Sequence, residues 1–234
     1  MNIFDLIIKD KEPIKLDDVA LSYDNKIIIS QLIKEYNFRD ELKKYGLSVN
    51  HKILLNGASG CGKTMLAKAI ANELNSSILI LNLSNVINAR IGETSQNIKQ
   101  IFEKAIREKA ILFLDEFDQI GKQRVSDEND VGEMRRLVNS VIQQLDYLPD
   151  YVMLIAATNH SNIVDYALLR RFQVRMNFDL PTDKDLDNYY DKLLMSFPER
   201  WQSVDRKYRI SYAEAKDYVL TGVKALLIEE LESK

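Results

Sequence analysis

The sequence predicts an α/β chain in which a parallel sheet is covered on both faces by helices and a smaller helical region follows. Apolar runs of strand length alternate with longer stretches of helical pattern, which is how strand–helix–strand units read. The first strong run leads through a glycine-rich loop directly into a helix. After Pro181 the remaining pattern is helical.

In chain order, a short leading segment precedes a helix expected from about Asn25 to Tyr45. The strand Lys52-Ile53-Leu54-Leu55-Asn56 then feeds the loop, and a helix runs to about Leu74. A strand over 77–83 passes through a loop to a helix over 95–108, and the apolar run from Ala110 ends in Asp115-Glu116. A helix over 131–148 precedes the strand Tyr151-Val152-Met153-Leu154-Ile155-Ala156-Ala157, and Val174 to Phe178 closes the sheet. Beyond Pro181, Thr182-Asp183-Lys184-Asp185 reads as a helix start, and the rest through Tyr212 to Leu231 reads as helical.

The loop Gly57-Ala58-Ser59-Gly60-Cys61-Gly62-Lys63-Thr64, with Met65 opening the helix, has the form of a phosphate cradle. Glycines let backbone N–H groups turn inward around a polyphosphate, the helix N-terminus adds its positive dipole end, and Lys63 reaches the outer phosphates. Thr64 supplies a hydroxyl for Mg²⁺. Two acids at the carboxyl end of an apolar strand belong in a crevice with a cation or water, because burying them unpaired is costly. Asp115 is placed to hold the metal shell, and Glu116 to orient or deprotonate a water that attacks the terminal phosphate. Read alone, the pair is also compatible with a solvated strand end or a helix N-cap. Asn159, after a third strand, can bond both a water and a phosphate oxygen, although by itself it equally suits a turn. Together the first two motifs imply a nucleoside triphosphatase.

The strings NGASGCGKT, ILFLDEFDQI, LIAATNH and DYALLRRFQVRMNFDLP resemble the Walker A, Walker B, sensor-one and second homology region of the AAA ATPases, most closely the short single-module prokaryotic type. The resemblance runs from about Asp17 to the C-terminus. It implies a P-loop NTPase core with its N-terminal segment over residues 1–181 and a small helical lid over 182–234. It implies that Arg170 and Arg171 project into a neighbouring subunit's nucleotide site, so that the enzyme works as an oligomer, six subunits by family analogy. It implies that Asp18-Val19-Ala20 packs beside adenine, and that Ser211-Tyr212-Ala213-Glu214 lies near the nucleotide with Tyr212 where the family usually has glycine. It also sets the pore loop at Asn88-Ala89-Arg90-Ile91-Gly92-Glu93-Thr94, with Arg90 where an aromatic or large apolar residue is usual. That departure weighs against generic threading of polypeptide.

Composition fits an intracellular globular protein: 234 residues, 46% hydrophobic, 29% charged, net charge −3. No apolar stretch is long enough to cross a bilayer and the start does not read as a secretion signal, so a cytoplasmic location is expected. One cysteine excludes an intrachain disulfide, and two histidines offer no zinc constellation, which leaves Mg²⁺ as the implied metal and ATP as the implied nucleotide. No block of Lys/Arg interleaved with aromatics marks a nucleic-acid footprint. The preferred function is ATP-driven remodelling or regulation of a protein partner, with a separate effector such as a protease suggested by the short architecture. A nucleic-acid-linked loader and a nucleotide-gated scaffold are the other classes. The intact set Lys63, Asp115, Glu116, Asn159, Arg170 and Arg171 weighs against the scaffold.

Overall fold

The computed structural model describes residues 7–8, 13–88, 94–120 and 128–233. Six strands form one sheet in the order β1-β3-β4-β5-β2-β6, with β1 Ile7–Ile8, β2 Lys52–Gly57, β3 Ile78–Asn82, β4 Ile111–Asp115, β5 Leu154–Thr158 and β6 Val174–Phe178. The pairs β3–β4, β4–β5 and β5–β2 are parallel, and β1 runs antiparallel to β3. The register sets Leu54 beside Ala156 and Ala156 beside Leu114, so three apolar runs stack across the middle of the sheet. The central strands are sealed: Ile111 to Leu114 and Leu154 to Ala157 are at most 1% exposed. Such near-continuous apolar runs are what a parallel strand buried on both faces requires.

The helices are α1 Tyr23–Asn37, α2 Arg39–Lys44, α3 Lys63–Glu73, α4 Leu83–Asn88, α5 Thr94–Glu108, α6 Glu128–Asp146, α7 Tyr166–Leu169, α8 Asp183–Leu194 and α9 Tyr212–Glu232. On one face of the sheet, alternate residues Leu112, Leu114, Leu154 and Ala156 pack with Ile98, Ile101 and Phe102 of α5 and with Val141 and Leu145 of α6. That spacing of two in strands against three and four in helices is the physical content of the alternating pattern.

Several local features differ from the sequence reading, β1 and the short α7 among them. The expected single helix from Asn25 to Tyr45 is two, because the chain leaves helical geometry at Phe38, with φ −99° and ψ 16°. Just before the break the Tyr36 hydroxyl is tied to the Tyr151 carbonyl at 2.7 Å. The expected loop after β3 begins with α4, whose Leu83 and Val86 are buried one turn apart while Asn82 Oδ1 accepts the Ser84 N–H at 2.9 Å. β5 starts at Leu154, since Pro149-Asp150-Tyr151-Val152 is closed as a turn by Val152 N–H to the Pro149 carbonyl at 3.0 Å. Between α8 and α9 the chain is irregular apart from one 3-10 turn, Glu199–Trp201, because Pro198 cannot continue a helix.

The chain divides into two compact units, Met1–Asn56 with Lys63–Asn177, and Gly57–Gly62 with Phe178–Lys234. The second unit has its own core of Leu186, Tyr190, Leu194, Ala215, Val219 and Val223. Its two helices open with capping boxes, Thr182 with Asp185 and Ser211 with Glu214, each satisfying N–H groups that a helix start leaves unpaired. No described helix is long and apolar enough to cross a membrane.

Candidate active site

In the larger unit the carboxyl ends of β4 and β5 meet the start of α3. Lys63, the first residue of α3, is 7% exposed, and its Nζ donates to Asn159 Oδ1 at 2.9 Å. The Thr64 side chain is hydrogen-bonded to Asp115. Burial raises the Asp115 carboxyl above its usual range and the neighbouring Glu116 charge adds to this, while the Glu116 N–H at 2.9 Å, Lys63 and Thr64 pull it back down. Four residues from three separate stretches of chain thus converge on one spot, with an ammonium, a hydroxyl, a carboxylate and an amide.

Glu116 points elsewhere. Its φ of +55° is left-handed, a conformation non-glycine residues avoid and that active sites tolerate. The Ser84 hydroxyl of α4 donates to its Oε2. Beneath the pair, Asp118 is 3% exposed and accepts the Thr158 hydroxyl at 2.9 Å, and Thr158 Oγ1 accepts the His160 N–H at 3.0 Å. The backbone on both sides of Asn159 is therefore pinned. Sequence reasoning passed over Ser84, Asp118 and Thr158. The signal for Asp118 is a third acid three residues after Asp115, just past the strand end.

The smaller unit holds the rest of the loop, Gly57 to Gly62, which continues directly into Lys63. A Cβ on Gly57 would lie 2.0 Å from the Phe178 carbonyl oxygen, so only glycine fits. Gly60, with φ +76°, is pressed against the start of α9: a Cβ there would sit 2.6 Å from Ser211 Oγ, and its carbonyl accepts the Ala213 N–H at 3.2 Å. Ala58 and Ser59 lie between these two glycines, and Gly62 is also left-handed at φ +99°. Cys61 is buried, its thiol facing the Ser59 carbonyl at 3.9 Å. Tyr212 stacks edge-on against Tyr189 at 5.0 Å, and its hydroxyl is pushed up to about 12, first by burial and then by Asp185, Cys61 and Tyr189.

Met65 is exposed on α3. Asp18-Val19-Ala20 ends a 3-10 turn, Leu16–Asp18, that packs on α3; Val19 is buried, and the Asp18 carboxylate folds back onto the Lys15 N–H at 3.3 Å. The two arginines part company. Arg170 is exposed, its guanidinium 5.4 Å over the Tyr166 ring, whereas Arg171 spends its donors within the chain: Nε and Nη2 on Asp146 at 3.1 and 3.2 Å, and Nη1 on the Ala167 carbonyl at 2.8 Å. The expected pore-loop residues Arg90 and Ile91 lie outside the described residues.

A glycine loop running from a parallel strand into a lysine-headed helix, with an acid at the end of a second strand, defines a P-loop nucleoside triphosphatase fold. Residues 53–180 match the model of the ATPase family associated with various cellular activities, and the chain belongs to that AAA family. It is 33% identical over 216 residues to an uncharacterized AAA family ATPase, y4kL, of Sinorhizobium fredii, covering 91% of this chain and 65% of the relative. It is 28% identical over 232 residues to a putative 26S proteasome regulatory subunit homolog of Methanothermobacter thermautotrophicus, covering 95% and 61%. The chain thus spans less than two thirds of either relative's length. Its fold matches the crystal structure of the FIGL-1 AAA domain with a TM-score of 0.71 at 21% identity, over 92% of this chain and 75% of the other.

Thr64 and Asp115 fit a Mg²⁺ ion. Both offer hard oxygen donors and they already meet. Two protein oxygens suit a metal that keeps waters and takes its remaining ligands from phosphate.

Proposed function

We propose that the protein hydrolyses ATP as an oligomeric ring and uses the cycle to remodel or regulate a protein partner. The observation that supports the hydrolysis in this reading is the convergence of Lys63, Thr64, Asp115 and Asn159, with Glu116 held separately by Ser84. In the proposed mechanism the N–H groups of the 57–62 loop cradle the phosphates and Lys63 neutralises the outer ones. Thr64 and Asp115 hold Mg²⁺, which when bound offsets charge on the phosphate oxygens. Glu116 takes the proton of the attacking water, and Asn159 orients that water and a phosphate oxygen through its amide. Separate anchorage of the two acids lets one bind metal while the other works on water.

Arg170 is the guanidinium offered to the adjoining subunit, where it steadies charge on the transferred phosphoryl group, and Arg171 fixes the turn that presents it. In other phosphoryl-transfer systems such a group accelerates the step by roughly 10³ to 10⁵. A protein partner is supported by the similarity to the putative proteasome regulatory subunit homolog. Nucleotide binding and turnover of Lys63→Ala and Glu116→Gln test the reading. Lys63→Ala is expected to lose ATP binding. Glu116→Gln is expected to bind ATP, turn it over at least about 100-fold more slowly, and capture the partner in pull-downs made with ATP. Retained affinity in the first, or normal turnover in the second, contradicts the assignment.

A further inference from the structure

At the opposite end of the strands from the candidate active site lies a recess of about 560 Å³. Ser76, Lys109 and Tyr151, which line it, stand just before β3, β4 and β5, whereas Asp115 and Asn159 stand at or just past the other ends. A five-residue strand separates the two sites by roughly 15 Å.

Three cations and two carboxylates line the recess, in a chain whose net charge is −3. They are Arg39, Asp40 and Lys43 of α2, Lys109 of the α5–β4 turn and Asp150. Asp40 is already offset by Arg39, 3.8 Å away, and Arg39 lies over the Tyr36 ring at 5.0 Å. Lys43 and Lys109 have no ion-pair partner among the described residues and are exposed. Lys109 also holds a left-handed φ of +49° where a helix ends. Glycine or asparagine is the inexpensive choice there, and Asn75 fills the matching position after α3, also at φ +49°. The Ala110 N–H closes this helix end on the Ala105 carbonyl at 3.0 Å, so Lys109 is the left-handed capping residue of α5 and its side chain stands on the rim of the recess.

Three large apolar side chains are exposed close to the lining residues in the chain. Phe38, between the lining residues Asn37 and Arg39, is 62% exposed, and Tyr45 and Leu47, just past Lys43, are 82% and 56% exposed. Unpaired lysines beside large exposed apolar side chains, with Asp150 as an acceptor for a backbone N–H, suit a peptide that carries carboxylates and an apolar anchor better than a bare inorganic anion. We infer that this recess is a docking site for an acidic, apolar-anchored segment of a protein partner. The inference rests on the proposed action on protein, and names the chemistry by which that protein is held.

The test uses the full chain and a short fluorescein-labelled peptide rich in glutamate with a central leucine, read by fluorescence anisotropy. A peptide with lysine in place of glutamate, and inorganic pyrophosphate, serve as competitors. Binding of the glutamate peptide that weakens as salt rises is expected, with at least about a tenfold loss in Lys43→Glu and in Lys109→Gly. Lys109→Gly removes the cation and relieves the backbone together, so it should melt no lower than the parent, separating docking from folding. Both variants should keep basal ATP turnover. Equal binding by parent and variants, equal competition by the lysine peptide, displacement by pyrophosphate at matched charge, or no peptide binding overturns the docking site. Loss of ATP turnover in Lys63→Ala would in that event still stand, so failure of the recess and failure of the ATPase reading are told apart.

Discussion

Asp115 and Glu116 are adjacent in sequence but are held by different parts of the fold. Asp115 turns toward Thr64, while the left-handed backbone at Glu116 swings its carboxylate to Ser84 on α4. Ser84→Ala would free Glu116 without touching Lys63 or Asp115. ATP affinity is expected to stay within about twofold while turnover falls by about tenfold or more, as measured by nucleotide titration beside steady-state phosphate release. His51 supplies a pH signature. It is buried with Nδ1 and Nε2 each 3.3 Å from a carbonyl, of Val49 and Leu148, and burial holds its pKa below the usual value despite these acceptors. The folded chain therefore prefers the neutral ring. Its contribution to stability is fully present above the unfolded pKa of about 6.5 and is lost as pH falls through the lower folded pKa. Thermal melts from pH 7.5 downward should fall below about pH 6.5, and His51→Gln should flatten that part of the profile.

At the scale of elements, the end of α6 and the short α7 are joined through Asp146 and Arg171. With the arginine a quarter exposed and the aspartate nearly half, this tie adds less than about 1 kcal/mol to stability. In the proposed mechanism its role is to aim Arg170. Asp146→Asn should change the melting temperature little and lower turnover several-fold at unchanged ATP affinity. The glycine loop is constrained more tightly. Gly60→Ala drives a methyl against Ser211 Oγ and forces alanine to a positive φ, at a cost of about 1–3 kcal/mol. A lower melting temperature and weaker ATP binding together would bear this out.

How far the elements could be read from the sequence follows from the physics of each. Strands β2, β4 and β5 and the loop between β2 and α3 announce themselves, because a strand buried on both faces must be apolar throughout and a phosphate cradle needs its glycines. Helix α4 did not, since a run of six residues is too short to show a helical period. The break at Phe38 follows directly on Tyr36, whose hydroxyl meets the Tyr151 carbonyl, a contact 115 residues away in sequence that no local pattern encodes. Ser84 and Thr158 are invisible for the same reason, as hydroxyls gain a role only when tertiary structure brings a carboxylate to them. Neither the intrachain engagement of Arg171 nor the recess near Lys109 could be read from residue types alone.

For the whole molecule, Lys63, Asp115, Glu116 and Asn159 gather within one unit, while the candidate finger Arg170 stands exposed on its surface. The proposal therefore requires that neighbouring subunits complete each other. The most direct measurement is ATP turnover in a mixture of Arg170→Ala and Glu116→Gln proteins, each nearly inactive alone. At an interface that pairs an intact Glu116 with an intact Arg170, activity should reappear, rising and falling with the mixing ratio and vanishing on dilution to monomers. A mixture no more active than its two components, or an Arg170→Ala protein that alone turns over ATP at the parent rate, would contradict it.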